Sequence, residues 1–456
     1  MTRQDYHKKR ISADRKVGVI NLGCARNLVD AQLMLGNLKK NGQRIVGINE
    51  AQTVIVNTCS FIEDARKESI DTILDLIEQK KRGQIKKVIV AGCLAQRYGK
   101  NLAREFPEVD AFVGTPTLNR EELPSPVQLS LKHFAYVKIC EGCFNACAFC
   151  AIPQIKGKLT SRRIESVVKE VSLLDAQGVK EINIIGQDIT AFGMDIYHRT
   201  SLARLLKELV VVCKNIEWIR LLYTFPSHVS DELLEVIAQE PKICKYIDVP
   251  LQHISDHILQ EQNRHITTAQ TRALIQKIRK VTPRAFLRTS FITGLPGETQ
   301  DDFEQLRLFM KDSRFERVGV FVYSKEEGTP AAKMKGQVSS KIKKARRDIL
   351  MQDQQVISRE IQQSLVGRKL KVLIEKEEKK GPHTLLSKSS VGAELVSARS
   401  IGRTQGPPLC YIGRSEYDAP DVDGAVYVHS KLPLKSGDFV EALITDAYEY
   451  DLAGVV

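Results

Sequence analysis

Residues 140–150 read C-E-G-C-F-N-A-C-A-F-C. Cys143, Cys147 and Cys150 stand in a C-x3-C-x2-C spacing, and Cys140 lies one C-x2-C step before them. Three thiols this close in one loop hold a metal or serve as redox groups. Four thiolates close a four-iron cluster to everything but electrons, whereas three leave one iron open to a small molecule. Four neighbouring cysteines also satisfy a structural zinc site. Zinc knuckles, however, pair two C-x2-C turns across a longer gap. Here the middle gap is three residues, and an aromatic, Phe149, sits beside the last cysteine. Cys140 then reads as a bystander at a strand end.

Outward from this loop the chain repeats a strand-then-helix unit. FAYVKI (134–139) leads into the cysteines, and EINIIG (181–186), WIRLLY (218–223), KYIDVP (245–250), FLRTSFITG (286–294) and GVFVYS (319–324) follow, separated by amphipathic helical runs. Six such units predict a partial barrel, an incomplete version of the eight-fold one, with its site at the carboxyl ends of the strands. The cysteine loop falls there. So do Gly186, Gln187 and Asp188, the Pro250-Leu251-Gln252-His253 stretch, and the Gly294-Leu295-Pro296-Gly297-Glu298 turn, whose glycines let backbone approach a ligand. For His253 the placement does not separate a site role from a surface one.

On the N-terminal side, VGVINLG (17–23), TVIVNTC (53–59) and KVIVAGC (87–93) are Val- and Ile-rich runs, each followed by a helical pattern. They read as buried parallel strands. Cys24, Cys59 and Cys93 each fall at a carboxyl end, where open α/β sheets bind ligands, so a second three-cysteine cluster is expected. Packing cysteines are the alternative. Residues 116–132 contain three prolines and read as a linker. Residues 338–363 read as a long basic helix with a solvated charged face. From 367 short strands return and predict a barrel of five strands, interrupted by a Ser- and Gly-rich insertion over about 380–410. The expected fold class is α/β, with a basic tail (1–15), a parallel α/β domain (16–125), a partial (β/α)6 barrel (130–337), a connecting helix (338–364) and a small C-terminal β-barrel (365–456).

The 456 residues are 43% hydrophobic, ample for several cores. No apolar run reaches membrane-spanning length, and the polar, basic start lacks the apolar middle of a signal peptide. Ten cysteines without such a signal fit a reducing cytoplasm and use as ligands rather than disulfides. A net charge of +13 suits polyanions or a ribosomal neighbourhood, or simply a basic enzyme. Residues 411–456 run against that sign, with nine acids and three bases, and suit a basic protein partner better than RNA.

With both cysteine sets placed, the chain resembles the radical-SAM (S-adenosylmethionine) methylthiotransferase family, and within it the branch that modifies a ribosomal protein. The stretches that carry the resemblance are LGCARNLVD (22–30), VNTCSFIEDA (56–65), AGCLAQRY (91–98), EGCFNACAFCAIP (141–153), YIDVPLQH (246–253), FITGLPGET (291–299), YSKEEGTPAA (323–332) and RSEYDAPDVDG (414–424). Ala25-Arg26 replaces the family's proline-lysine pair, and the insertion in the C-terminal TRAM domain is a larger departure. The resemblance implies two 4Fe-4S clusters, one on Cys143, Cys147 and Cys150 that cleaves SAM and one on Cys24, Cys59 and Cys93 that delivers sulfur. Placement at the strand ends makes Gly186, Gln187, Gly294 and Glu298 the candidate SAM contacts. The implied substrate is an aspartate of the twelfth small-subunit ribosomal protein, modified at its β-carbon, with a flavodoxin or ferredoxin as electron donor. Methylthiolation of isopentenyladenosine in tRNA and a non-catalytic zinc protein that binds ribosomes or RNA are the competing readings.

Overall fold

The computed structural model describes residues 16–121, 127–378 and 409–456. The expected tail and all but the last two residues of the expected insertion lie outside them.

The N-terminal region runs β1 (Lys16–Asn21), α1 (Ala25–Lys40), β2 (Arg44–Ile45), β3 (Thr53–Thr58), α2 (Glu63–Lys81), β4 (Lys87–Gly92), α3 (Cys93–Glu105) and β5 (Ala111–Val113). Its sheet is parallel, ordered β2-β1-β3-β4-β5. The chain steps from β1 outward to β2 on one side and to β3 and β4 on the other. The carboxyl ends of β1 and β3 therefore flank the switch point where such sheets bind ligands. β3 is buried at every position, which is why TVIVNT shows no alternation. The edge strands β2 and β5 are two and three residues long, too short to leave a period in the sequence.

The central region runs β6 (Phe134–Lys138), β7 (Cys140–Glu141), α4 (Ile152–Lys156), β8 (Thr160–Ser161), α5 (Ile164–Ala176), β9 (Glu181–Ile185), α6 (Met194–Tyr197), α7 (Leu202–Val212), β10 (Trp218–Leu221), α8 (Asp231–Gln239), β11 (Ile243–Asp248), α9 (Asp256–Glu261), α10 (Thr268–Val281), β12 (Phe286–Thr293), α11 (Gln300–Ser313) and β13 (Arg317–Val322). Six parallel strands lie side by side in the order β6-β9-β10-β11-β12-β13 and do not close. Local chemistry sets the helix ends. Capping boxes at Thr267/Gln270 and Thr299/Asp302 start α10 and α11, and Gly178, left-handed at φ 84°, follows α5.

The long helix α12 (Ser340–Gln363) departs from expectation. Lys343 and Arg346 are buried rather than solvated. Lys343 Nζ donates to the Tyr323 carbonyl at 3.1 Å and Arg346 to the Glu298 carboxylate at 2.6 Å. The charges turn inward because the turn beneath them offers buried acceptors.

β14 (Lys369–Glu377), β15 (Leu409–Ser415), β16 (Val426–Ser430), β17 (Phe439–Ala447) and β18 (Leu452–Val455) close into a barrel ordered β14-β15-β16-β18-β17. Leu409 and Cys410, expected in the insertion, open β15. This small barrel packs on the amino-terminal ends of the central strands. Trp218 meets Phe439 edge-on at 4.8 Å, and Phe134, Tyr136, Tyr246 and Phe286 share one apolar core with Val372, Tyr411 and Val428.

The acidic surface expected over 411–456 is only partly a surface. Asp418 pairs with Arg317 at 2.6 Å, and Asp423 accepts from the Tyr246 hydroxyl at 2.6 Å. Asp421 accepts from the Tyr136 hydroxyl and Glu416 from the Lys245 amide. Beneath them Glu181 holds Arg220 at 2.9 Å and Arg414 at 2.6 Å. Burial by itself would raise the Glu181 carboxyl; the two guanidinium groups bring it down to about 2. Among the described residues no helix is long and apolar enough to cross a membrane.

Candidate active site between two cysteine triads

Cys24 leaves β1 and caps α1, Cys59 follows β3, and Cys93 is the first residue of α3. Two of the three thus sit at helix N-termini, where the backbone dipole favours a thiolate. Asn27, which sequence reasoning did not single out, ties the set together. Its Nδ2 donates to the carbonyls of Leu22 (3.0 Å) and Thr58 (3.1 Å), and its Oδ1 accepts from the Cys93 thiol at 3.4 Å. Ser69 bonds both the N–H and the carbonyl of Cys59.

In the central barrel the cysteine loop crosses the carboxyl end of β6, clamped by the β7–β8 pair. Asp188 organises it. Its carboxylate accepts from Asn145 Nδ2 at 2.8 Å, from the amides of Thr190 and Ala191 and from the Thr190 hydroxyl, and meets His228 Nδ1 at 2.9 Å. Arg264 donates to Cys147 Sγ at 3.4 Å and to the Pro250 carbonyl at 2.7 Å. Cys140 is fully buried and turns away, its thiol 3.6 Å from the Asp188 carbonyl.

The two triads meet. Cys93 packs against Ala151 and Ile155, immediately after Cys150. Arg26 donates from Nε to Cys24 Sγ at 3.4 Å and across the interface to the Gly186 carbonyl at 3.3 Å. A buried group of four charges locks this register. Asp30 of α1 pairs with Lys138 of β6 and with Lys156 of α4 (2.6 Å), and Glu141 of β7 pairs with both lysines at 3.0 and 2.7 Å. Glu326 makes a second clamp, buried between Arg97 (2.7 Å) and Arg66 of the N-terminal region.

The thiols suit iron. Burial pushes Cys143 up to about 11 and Cys93 and Cys150 up to about 12, and Cys59 rises for the same reason. Such thiols stay neutral until a metal displaces their protons. At Cys24 burial is the largest influence and works upward, but the Arg26 charge, its hydrogen bond and the backbone N–H groups of Asn27 and Arg26 together outweigh it, and the thiol falls below its ordinary value. Among the described residues no three His, Cys, Asp or Glu side chains close on a single point.

The strand-end residues expected to touch SAM divide. Gln187 keeps a buried Oε1 with no partner among the described residues. Gly186 is small because a Cβ there would lie 2.5 Å from Cys140 Sγ. Gly294 is left-handed at φ 73°, and a Cβ would lie 2.1 Å from Lys343 Cγ, so protein packing already demands glycine. Glu298 has its oxygens occupied, Oε2 by the amides of Gly294 (2.7 Å) and Leu295 (3.3 Å) and Oε1 by Arg346. That carboxylate shapes the turn, because the turn leaves two N–H groups that need an acceptor.

His253 lies buried behind the same turn, accepting the Ser255 N–H at Nδ1. Burial brings it down to about 3 from 6.5. The unfolded chain takes up this proton below pH 6.5, the folded chain only near 3. The stability contributed by neutral His253 is therefore full above 6.5 and is lost as pH falls from there through about 3. The urea midpoint is expected to drop between about pH 7.5 and about pH 5, and to drop less in His253→Gln. Equal drops would refute the assignment.

Three families match the chain in turn: Uncharacterized protein family UPF0004 over residues 16–114, the Radical SAM superfamily over 137–310 and the TRAM domain over 403–456. The ribosomal protein uS12 methylthiotransferase RimO of Lachnoclostridium phytofermentans is 42% identical, covering 96% of this chain and 99% of its own. The chain belongs to the RimO family of ribosomal protein uS12 methylthiotransferases. RimO of Geotalea uraniireducens is 43% identical over 98% of this chain and 99% of its own. Among solved structures, the radical S-adenosylmethionine methyltransferase TsrM of Kitasatospora setae, with cobalamin and a [4Fe-4S] cluster bound, shares the fold at a TM-score of 0.50 and 14% identity, over 81% of both chains.

Proposed function

We propose that this chain transfers a methylthio group to the β-carbon of an aspartate in ribosomal protein uS12. One 4Fe-4S cluster is held by Cys143, Cys147 and Cys150, a second by Cys24, Cys59 and Cys93. The observation that carries the reading is the meeting of two three-thiol sets across one interface in a chain of this family. When bound, the clusters and SAM supply a carbon radical able to take hydrogen from an unactivated C–H bond, and the sulfur that replaces it.

The chain's own residues hold and shield. Arg264 and Asp188 fix the barrel loop, Asn27 and Ser69 the N-terminal one, and the Asp30 and Glu326 groups hold one against the other. Gln187 offers its buried Oε1 to a donor on SAM. The 414–424 loop fills the amino-terminal mouth of the barrel, where Asp418 pairs with Arg317, Asp423 accepts from the Tyr246 hydroxyl and the Glu416 carbonyl accepts from Arg220. Glu441 and Asp446 on β17 remain exposed and face a basic protein more favourably than they face RNA. The partners are uS12 itself, within or apart from the ribosome, and a one-electron donor such as a flavodoxin or ferredoxin; the compartment is the cytoplasm.

The test is anaerobic incubation of reconstituted enzyme with SAM, sulfide, a low-potential reductant and small ribosomal subunits. Mass spectrometry should find one methylthio group on a uS12 aspartate. The same mass on tRNA nucleosides, with uS12 unchanged, would move the function to tRNA.

A further inference from the structure

Each triad has one arginine 3.4 Å from a thiol, Arg26 beside Cys24 and Arg264 beside Cys147. Their surroundings differ. Arg264 is buried, with its face on the Phe225 ring at 4.2 Å and a second N–H on the Pro250 carbonyl. Arg26 is half-buried and lies over the Tyr223 ring at 4.4 Å. Among the described residues no carboxylate is within ion-pair distance of Arg26. Other cations of the barrel already have carboxylate partners: Arg288 pairs with Asp248 at 3.2 Å and Asp423 at 3.5 Å, Arg220 with Glu181 and Arg317 with Asp418. Arg26 is thus a guanidinium held over an aromatic ring, bridging Cys24 and the barrel, with N–H groups left over after Cys24 and Gly186 are served.

We infer that Arg26 binds the side-chain carboxylate of the substrate aspartate and so places its β-carbon between the triads. This rests on the proposed function. The reacting carbon is one bond from the carboxylate carbon, so whatever grips the carboxylate must stand beside the place where both clusters act. A planar fork matches a carboxylate with two parallel hydrogen bonds, and stacking on Tyr223 sets its plane in advance. A half-buried cation without a carboxylate partner favours an anionic ligand and disfavours its neutral isostere, which makes Arg26 a specificity-determining residue.

The test measures binding to reconstituted holoenzyme by purified uS12 carrying either its target aspartate or asparagine at that position. Wild type is expected to prefer aspartate by about tenfold to a hundredfold, the range for a charge-assisted hydrogen-bond pair. Arg26→Gln is expected to bind both forms alike at the weaker level. Arg26→Lys should keep part of the preference, and both variants should keep wild-type iron content. An Arg26→Gln enzyme that retains the full preference overturns the assignment. So does loss of iron in both variants, which would make Arg26 a partner of the Cys24 thiolate alone. A wild type that binds neither form removes the substrate reading itself, and this assignment with it.

Discussion

Replacing Cys143, Cys147 and Cys150 together by alanine is expected to halve the iron, from about eight to about four atoms per chain after anaerobic reconstitution, and to abolish SAM cleavage. The remaining irons belong to Cys24, Cys59 and Cys93, whose loops are tied together by Asn27 and Ser69 within the N-terminal region. The reciprocal triple variant is expected to lose the other half and to keep reductive SAM cleavage while losing methylthio transfer. Iron and acid-labile sulfide analysis, with zinc measured beside them, reads both. About one zinc per chain and no iron would leave a structural knuckle in place of the barrel cluster.

Asp30→Asn is expected to cost about 3–5 kcal/mol of unfolding free energy, the range for removing one partner of a buried ion pair. Asp30 is 0% exposed and is shared by Lys138 and Lys156, themselves 1% and 2% exposed. Neutralising it leaves two buried ammonium groups on one carboxylate, Glu141. Asparagine keeps the shape, so the loss is electrostatic and not a cavity. The exposed pair Lys207–Glu232 at 2.8 Å is the control: Glu232→Gln is expected to cost under about 1 kcal/mol because water already solvates both groups. Denaturant unfolding of the reconstituted protein measures each. Equal, small losses would show that the four-charge group contributes nothing beyond an ordinary surface pair. Because Asp30 lies on the helix that Cys24 caps and Lys156 on the helix that follows Cys150, the same variant should weaken methylthio transfer more than SAM cleavage.

Much of the site was legible because its chemistry is local. C-x3-C-x2-C is a statement about one loop, and it can be read without knowing what packs on it. Cys24, Cys59 and Cys93 were legible for a different reason: strands buried on both faces announce themselves as Val and Ile runs, and their carboxyl ends lie on one edge by the geometry of parallel sheets. Asn27 and Arg264 were not legible. Their hydrogen bonds span 31 and 117 residues of sequence, and an asparagine or arginine alone carries no sign of its partner. The edge strands β2 and β5 failed for lack of length. The partners of Glu298 were not legible either: two amides of its own turn and an arginine 48 residues on hold its carboxylate.

The sequence by itself determined the three-part α/β architecture, the two cysteine sets and the family, because periodicity and spacing are properties of neighbours along the chain. Tertiary structure alone decided that the sets face one another, that Lys343 and Arg346 point inward, and that Asp418 and Asp423 fill the barrel instead of greeting a partner. A charge in the sequence has a sign but no address. Whether it is solvated or buried depends on an opposite charge brought from a distant segment, and burying it without that partner costs far more than folding can offset.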